Sequence, residues 1–290
     1  MRVAASTGFF RQRLDGSFIT YIESIRRCKK AGFDAINISF SPAIRGNKEL
    51  AEDNWEELMH DLRDEAEKIG MDFTISHPVF TLLEALRRDS DFFDYYKEMM
   101  RRSIKASAIL GVKWAILHPF NETQEAEFDL EANLKINREM YDWVVDLAKK
   151  HNVGIAFENM LPGNRRFASQ VDELIALIDS YDDPLVGACW DFGHANNLYK
   201  DQTHALRKLG KRLKATHVAD NYGKGDDHMF PFHGSTDWHS IMPVLKEIEY
   251  EGDFTLETGK EFTNVPDHLR DNIARVGYEI GQYCLSLAVE

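Results

Sequence analysis

Short apolar runs alternate with longer amphipathic stretches along the whole chain. Runs such as "DAINISF", "DFTISHP" and "VKWAILHP" are too short for helices and are apolar at nearly every position. This pattern is typical of parallel strands that are covered on both faces. The runs predict eight strands, near residues 2–6, 35–40, 72–76, 113–118, 154–158, 186–191, 214–219 and 253–257.

Turn residues mark the ends of the amphipathic stretches, which we interpret as helices. Glycine adopts without strain the left-handed conformation that ends a helix. Such residues follow four of the stretches: Gly32, Gly70, Gly111, and Asn152 with Gly154. At the start of two helices, Ser17 and Ser169 are predicted N-caps, because a serine hydroxyl accepts a hydrogen bond from a free backbone N–H.

The order of the elements favours one α/β fold class. Eight strand–helix units within 290 residues fit a (β/α)8 TIM barrel in size and in order. A doubly wound open sheet is the alternative, but no glycine-rich phosphate-binding turn follows the first strand. No linker or low-complexity tract divides the chain, so we predict a single domain over residues 1–290.

Composition narrows the function classes. The content of 43% apolar and 29% charged residues is ordinary for a soluble enzyme, and the net charge of −13 disfavours unspecific binding to nucleic acid or to anionic membranes. With no membrane-spanning apolar run and no signal-peptide core, we expect a cytoplasmic protein. The widely spaced cysteines are predicted to be reduced thiols: Cys28, Cys189 and Cys284.

Polar residues end six successive predicted strands whose other positions are almost wholly apolar. In a (β/α)8 barrel the chemistry lies at these carboxyl ends of the strands. The residues are His77, His118, Glu158, Asp191, His217 and Glu257. A lone histidine is often only a buried group bonded to the backbone, but six such residues on one rim indicate a site.

Three of the six residues are carboxylates that converge in a half-buried cleft. They would repel one another strongly unless a cation neutralised them. Oxygen ligands with one imidazole suit a divalent metal of the Mn²⁺, Mg²⁺ or Co²⁺ type, and Zn²⁺ is an alternative. We predict metal ligation by Glu158, Asp191, His217 and Glu257, with Mn²⁺ as the first choice.

Other histidines and one aspartate are candidates for further ligands or for substrate contacts. His77 and His118 each precede a proline at a strand end, and His194 lies in "WDFGHAN". For His194 the alternative is a hydrogen bond at a helix start. Asp226 and His228 lie in the loop of "HVADNYGKGDDHMFPFHGSTDW", where the alternative is a solvated loop.

Four motifs carry a resemblance that covers essentially the whole barrel. They are "FENM", "CWDFGHAN", "THVADN" with "GDDHMFPFHGSTDW", and "TLETG". The chain resembles the xylose isomerase-like superfamily, which holds sugar isomerases, ketose 3-epimerases, inosose dehydratases and abasic-site nucleases of the endonuclease IV type. The resemblance implies that Glu158, Asp191, His217 and Glu257 bind one metal. In the epimerase branch it implies that the two glutamates also exchange protons with the substrate.

Sugar chemistry is the function that these residues favour. A metal that chelates a carbonyl and a neighbouring hydroxyl acidifies the adjacent C–H, and a carboxylate then removes the proton. Glu158 and Glu257 are the predicted proton-exchanging pair. We therefore expect an isomerase or epimerase of a sugar or sugar phosphate, although an inosose-type dehydratase would begin with the same step.

Substrate contacts are predicted among aromatic and basic residues near the strand ends. Arg165 and Arg166 follow the fifth strand and are candidates to bind a phosphate or carboxylate. Five aromatic residues are candidates for packing on a sugar, with barrel-to-helix packing as the alternative: Trp55, Phe80, Phe120, Trp190 and Trp238.

Two further functions stay open at the level of the sequence. A metal-cluster phosphodiesterase is implied by matches at all nine ligand positions of the endonuclease IV type: His77, His118, Glu158, Asp191, His194, His217, Asp226, His228 and Glu257. The acidic stretch "NETQEAEFDLEANL" would repel a DNA backbone there. A barrel that binds metal or sugar without turnover is the other function. The insertion "DFFDYYKEMM" is interpreted as a lid or as a subunit contact of a homo-oligomer.

Overall fold

Eight parallel strands form a barrel in the computed structural model, which describes residues 1–122, 128–163 and 165–288. Successive strands pair from β1 to β7, and β8 pairs with β1. A parallel bridge between Val218 and Leu256 joins the β7 and β8 segments, so the sheet closes. This closure confirms the (β/α)8 barrel and excludes the open sheet. The strands are β1 (Val3–Ser6), β2 (Ala35–Ser39), β3 (Asp72–His77), β4 (Trp114–Leu117), β5 (Gly154–Glu158), β6 (Val186–Asp191), β7 (Leu213–His217) and β8 (Phe254–Thr255).

Helices cover the outer face of the barrel. Their inward stripes bury aromatic and aliphatic side chains against the outward residues of the strands. The helices are α1 (Tyr21–Ala31), α2 (Trp55–Ile69), α3 (Leu83–Arg88), α4 (Ser90–Ile109), α5 (Leu130–Lys150), α6 (Val171–Asp179), α7 (Phe192–Asn196), α8 (Thr203–Leu209), α9 (Trp238–Glu247) and α10 (Asp267–Leu287).

Four of the predicted turn residues lie at helix ends, whereas Gly154 does not, because it is the first residue of β5. Gly32 and Gly70 are the C-caps of α1 and α2, with φ angles of 115° and 66°. Gly111 follows α4 with a φ angle of 73°, and Asn152 follows α5 with a φ angle of 57°. These angles lie in the left-handed region that glycine and asparagine tolerate best.

Both predicted N-caps are wrong. The N-cap of α1 is Thr20, whose hydroxyl accepts a hydrogen bond from the backbone N–H of Glu23 at 3.2 Å. Ser17 lies in the preceding turn. Likewise α6 begins after Gln170, one residue beyond Ser169. Before α1 both Ser17 and Thr20 are suitable caps, so the sequence alone does not fix which of them is used; at α6 the cap position holds Gln170, which makes no side-chain capping hydrogen bond.

Strand alternation explains why the polar residues meet at one end of the barrel. A layer of small and aliphatic residues fills the barrel interior below the rim: Ile75, Ile116, Ala156, Cys189 and Ala215. Successive residues of a strand point to opposite faces, so the residue two positions later points inward again. Each of the five strands β3 to β7 therefore adds its rim residue directly above this layer.

The structure also bears on the segment "DFFDYYKEMM", whose contact with another subunit stays a prediction, and on the cysteines. The segment "DFFDYYKEMM" is the first half of α4, in which Tyr96 is buried and Phe92 lines the cleft. It is therefore a packed helix of the barrel wall. The three cysteines are free and buried, as predicted. Within the described residues, no helix has both the length and the apolar character needed to cross a membrane.

Candidate metal centre

Four rim residues bring their ligand atoms into one small volume. Glu158, Asp191, His217 and Glu257 each offer one donor atom, and these atoms all lie within 4.8 Å of one another. Asp191 and His217 are paired directly across β6 and β7. The cluster thus depends on the register of the barrel strands, which is a rigid part of the fold.

The imidazole of His217 lies between the two glutamates. Its Nδ1 atom is 2.8 Å from Oε1 of Glu158 and 3.2 Å from Oε2 of Glu257. The side chain of Glu158 is 1% exposed, whereas that of Glu257 is 26% exposed. Glu257 therefore lies on the open side of the cluster, where it faces the cleft.

The donor set fits a divalent cation. Asp191 is fully buried, and its Oδ1 atom accepts a hydrogen bond from the backbone N–H of His194 at 2.7 Å. Its Oδ2 atom has no hydrogen-bond partner among the described residues. A buried carboxylate oxygen without a partner is costly, and a cation would satisfy it. Carboxylate and imidazole donors are the ligands that Mn²⁺ and Zn²⁺ accept in proteins.

The pKa values of the two buried carboxylates are shifted in opposite directions. Burial raises the pKa of Glu158, but the imidazoles of His217 and His118 outweigh this effect and hold that pKa well below its usual range. Burial raises the pKa of Asp191 to about 6. The neighbouring imidazoles therefore stabilise Glu158 as an anion, and any positive charge beside it has the same effect.

Two histidines form a second group beside Glu158. The Nε2 atom of His118 is 2.9 Å from Oε2 of Glu158 and 3.0 Å from Nε2 of His77. These three residues form a further set whose donor atoms lie within 4.8 Å of one another. Burial lowers the pKa of His77 to about 4, so this imidazole is neutral at physiological pH. A neutral imidazole can bind either a metal or a substrate hydroxyl.

The loop after β7 adds a third group. Oδ1 of Asp226 lies 3.1 Å from Nε2 of His228 and 3.7 Å from Nε2 of His194. Burial lowers the pKa of His228, but the hydrogen bond to Asp226 and the negative charges of nearby carboxylates together outweigh it and raise that pKa to about 10. All three side chains line the cleft. The loop residues Asp226 and His228 thus belong to the site, and His194 faces it as well.

The structure does not bring two of the predicted substrate contacts to the cleft. Trp190 is fully buried, and its indole N–H donates to Gln202 at 2.9 Å. It lies between two inward residues of β6, so strand alternation turns its side chain outward to the helices. Nη2 of Arg165 lies 2.5 Å from Oε1 of Glu173, and its guanidinium carbon lies 3.6 Å from the ring centroid of Phe128. These two assignments are corrected.

Other predicted contacts do reach the cleft. Arg166 lines it, as do Phe80 and Phe120. Phe80 is 41% exposed, and its ring centroid lies 4.4 Å from that of His118. Trp55 and Trp238 are buried in the helix layer, as the alternative interpretation of these aromatics required.

The cleft extends beyond the rim residues and has a volume of about 1680 Å³. Loops after β1 and β2 line its other side with Arg11, Arg45 and Lys48, which the sequence analysis missed. Their signal was available in "FFRQR" and "AIRGNK", which place basic residues soon after the first two strands. Residues 123–127 of the acidic stretch after β4 lie outside the described residues.

The comparisons with solved structures agree with this architecture. A D-tagatose 3-epimerase-like protein superposes with a TM-score of 0.77 at 20% identity, and the match covers 100% of this chain and 98% of that one. The IolI protein, solved with a bound zinc atom, superposes with a TM-score of 0.71 at 16% identity, covering 99% and 98% of the two chains. At these identities the likeness establishes the fold alone.

Sequence comparisons identify the family. The uncharacterized protein y4fM of Sinorhizobium fredii is 30% identical over 168 residues, which are 56% of this chain and 52% of that protein. The match thus spans about half the length of that relative. The family model of the xylose isomerase-like TIM barrel matches residues 25–276, which is most of the barrel. The chain belongs to the xylose isomerase-like TIM barrel family.

Proposed function

We propose that this protein is a divalent-metal-dependent isomerase or epimerase that acts on a small carbohydrate. The observation that carries the proposal is the set of four donor atoms within 4.8 Å of one another at the wall of an open cleft. Glu158, Asp191, His217 and Glu257 are the proposed ligands. Mn²⁺ is the proposed ion, and Mg²⁺, Co²⁺ and Zn²⁺ suit the same donors. The likeness to an epimerase-like protein and to a zinc-bearing barrel supports this choice.

The two glutamates are the proposed proton carriers. When bound, the cation supplies the Lewis acidity that polarises a substrate carbonyl and acidifies the neighbouring C–H. Glu257 faces the cleft, so its carboxylate removes this proton while the C–H electrons form the enediolate double bond. Glu158 returns a proton, to the opposite face of the same carbon in an epimerase. The histidine contacts hold Glu158 as an anion in the free protein, so it takes up a proton from the solvent of the cleft before it donates, and the proton removed by Glu257 leaves to the same solvent. The same contacts orient its carboxylate for this exchange.

Neighbouring side chains are proposed to bind the sugar. The neutral imidazole of His77 and the partly exposed imidazole of His118 can each bind a hydroxyl. The exposed ring of Phe80 offers an apolar surface for the C–H face of a sugar. Arg166 lines the cleft near Glu158 and Asp226 and is a further polar contact.

A metal-cluster phosphodiesterase is the second candidate, because of one observation. The three groups around Glu158, Asp191 and Asp226 place all nine predicted cluster positions on the same rim. The formal net charge of −13 argues against a phosphodiesterase that acts on DNA, because it would repel the DNA backbone. The count of bound ions separates the two functions.

A panel of ketoses and aldoses tests the proposed function. The metal-free protein is loaded in turn with Mn²⁺, Mg²⁺, Co²⁺ and Zn²⁺, and conversion of each sugar is followed by chromatography. We expect one ion to support conversion that a chelator abolishes. If no sugar is converted with any ion while an abasic-site duplex is cleaved, the phosphodiesterase replaces the proposal.

A further inference from the structure

The cleft has a cationic side opposite in charge to the metal ligands. Arg11 follows the 3-10 segment after β1, and Arg45 ends the 3-10 segment after β2. Lys48 lies three residues further along the same loop, and all three side chains line the cleft that contains Glu257. Because β1 pairs with β8 as well as with β2, this cationic group begins next to the strand that leads to Glu257.

The two arginines of the group have free guanidinium groups. Other basic residues at this side of the cleft are already engaged: Arg13 is paired with Glu23 at 2.7 Å, and Arg270 donates to the carbonyl of Gln12 at 2.5 Å. By contrast, the guanidinium groups of Arg11 and Arg45 form no hydrogen bond or ion pair with any residue in the described part of the chain. Both side chains are exposed at the cleft, so their donors are available to a ligand from outside the chain.

The like charges of the group also act on one another. Partial burial and the positive charge of Arg45 lower the pKa of Arg11. Burial lowers the pKa of Lys48 to about 8, and the charge of Arg11 contributes to this shift. Such a group of cations repels itself in the absence of an anion, so an anionic ligand would relieve the repulsion.

The backbone holds Lys48 in an unusual position. Its φ and ψ angles are 73° and 168°, in a region that residues other than glycine rarely adopt. Its Nζ atom lies 4.6 Å from the ring centroid of Tyr21 and donates one hydrogen bond to the carbonyl of Ile19. The ammonium group has three N–H donors, so two remain for an anion in the cleft. A lysine kept in a strained conformation at a cleft is consistent with a binding role, because strain persists where the surrounding structure enforces it.

We propose that the substrate carries an oxyanionic group, a phosphate or a carboxylate, which binds to Arg11, Arg45 and Lys48. Guanidinium groups match the geometry of both anions, since each presents two parallel N–H donors. The carboxylates Glu158 and Glu257 at the other side would repel the same anion. The charge pattern therefore orients the substrate, with its anionic end at the cationic group and its reacting carbon at the glutamates. The role of the glutamates rests on the proposed function, whereas the anion site does not.

Calorimetric titrations of the metal-loaded protein at low salt test the anion site. The probes are inorganic phosphate, gluconate as a sugar carboxylate, and uncharged fructose as the neutral control. We expect phosphate or gluconate to bind, and the double variant Arg11→Gln/Arg45→Gln to weaken that binding by more than about tenfold, as for lost hydrogen bonds to a charged group. The probe that binds more tightly tells which anion the site takes.

The matched control is Arg275→Gln, which removes an exposed guanidinium of α10 outside the cleft and changes the net charge equally per substitution. It should leave the affinity within about twofold. Equal anion affinities of the wild type and the double variant would overturn the site. An anion that binds only to the metal ion would give this result. Absence of any phosphate or gluconate binding would overturn it as well.

Turnover measurements separate this inference from the proposed function. If the protein converts neutral ketoses as well as phosphorylated or acidic sugars, and the double variant is unaffected, the proposed function stands and the anion site is wrong. If the anion binds and the double variant loses it while no sugar is converted, the anion site stands and the proposed function is wrong.

Discussion

Nδ1 of His217 lies 2.8 Å from Oε1 of Glu158, and both side chains are almost completely buried. The same nitrogen lies 3.2 Å from Oε2 of Glu257, so one imidazole joins the two glutamates that are proposed to exchange protons. Metal binding and proton transfer would therefore use the same few atoms. Substitutions that separate the two roles must change charge or basicity while keeping the shape of the side chain.

Asp191→Asn should reduce metal binding without unfolding the barrel. The asparagine keeps an oxygen that can accept the hydrogen bond from the N–H of His194, but it removes one negative charge from the ligand set. We expect metal affinity to fall by at least about tenfold, which corresponds to about 1.4 kcal/mol. The metal content after dialysis is measured by elemental analysis, and the melting temperature with and without added Mn²⁺ reports the linked stabilisation.

The choice of asparagine matters, because Asp191→Ala would also remove the N-cap of α7, which costs about 1 kcal/mol. Asp146→Asn, at an exposed position of α5, is the control for the loss of one charge and should retain the metal. Stoichiometric metal in the Asp191→Asn protein after the same dialysis would remove Asp191 from the ligand set.

Glu257→Gln should slow proton exchange even when enough Mn²⁺ is added to fill the metal site, whose affinity is lowered by the lost charge. Glutamine keeps the size and one oxygen ligand, but it cannot accept a proton at neutral pH. With its ketose substrate in deuterated water, the wild type should place deuterium on the carbon beside the carbonyl. The variant should do so at a rate lower by at least about 10²-fold. Conversion of substrate without deuterium uptake by the wild type would indicate a hydride shift, and the glutamates would then only hold the metal.

One tightly held metal ion per chain is the expected stoichiometry. The loop residue Asp226 is already satisfied by contacts with His228 and His194, which lie 3.1 Å and 3.7 Å from its Oδ1 atom. Asp226→Asn should therefore leave the metal content unchanged. Three zinc ions per chain, with one of them lost in this variant, would favour the phosphodiesterase, and chelator-sensitive cleavage of an abasic-site duplex would establish it.

The fold and the convergence of the rim residues could be predicted because both follow from strand alternation. Inward residues recur every second position, so a polar residue at a strand end such as Glu158 must point to the rim once the barrel is recognised. The same rule, applied position by position, would have turned Trp190 away from the cleft. Arg11 and Lys48 could not be predicted in this way, since their positions depend on loop conformations for which the sequence has no periodic signal.

The pH dependence of anion binding should reveal the contribution of Lys48. Burial lowers the pKa of this lysine to about 8, and its charged neighbours are Glu49, Glu23 and Arg11. The side chain of Lys48 lies over the ring of Tyr21. Burial raises the pKa of this phenol well above its usual value, so it stays protonated. Lys48 is therefore cationic below pH 8 and loses its charge as the pH rises. Its contribution to anion affinity is present below that pH and is lost above it.

A phosphate monoester such as methyl phosphate is the probe, because its second pKa is about 6 and it is therefore almost wholly dianionic above pH 7.5, where most of the Lys48 titration takes place. Between pH 7.5 and 9 we expect the wild-type affinity to decline toward that of Lys48→Gln, whose own affinity should be nearly constant. Lys48→Arg keeps its charge throughout this range, so it should retain phosphate binding at pH 9. A decline of the same size in Lys48→Gln would assign the titration to another group and would remove Lys48 from the anion site.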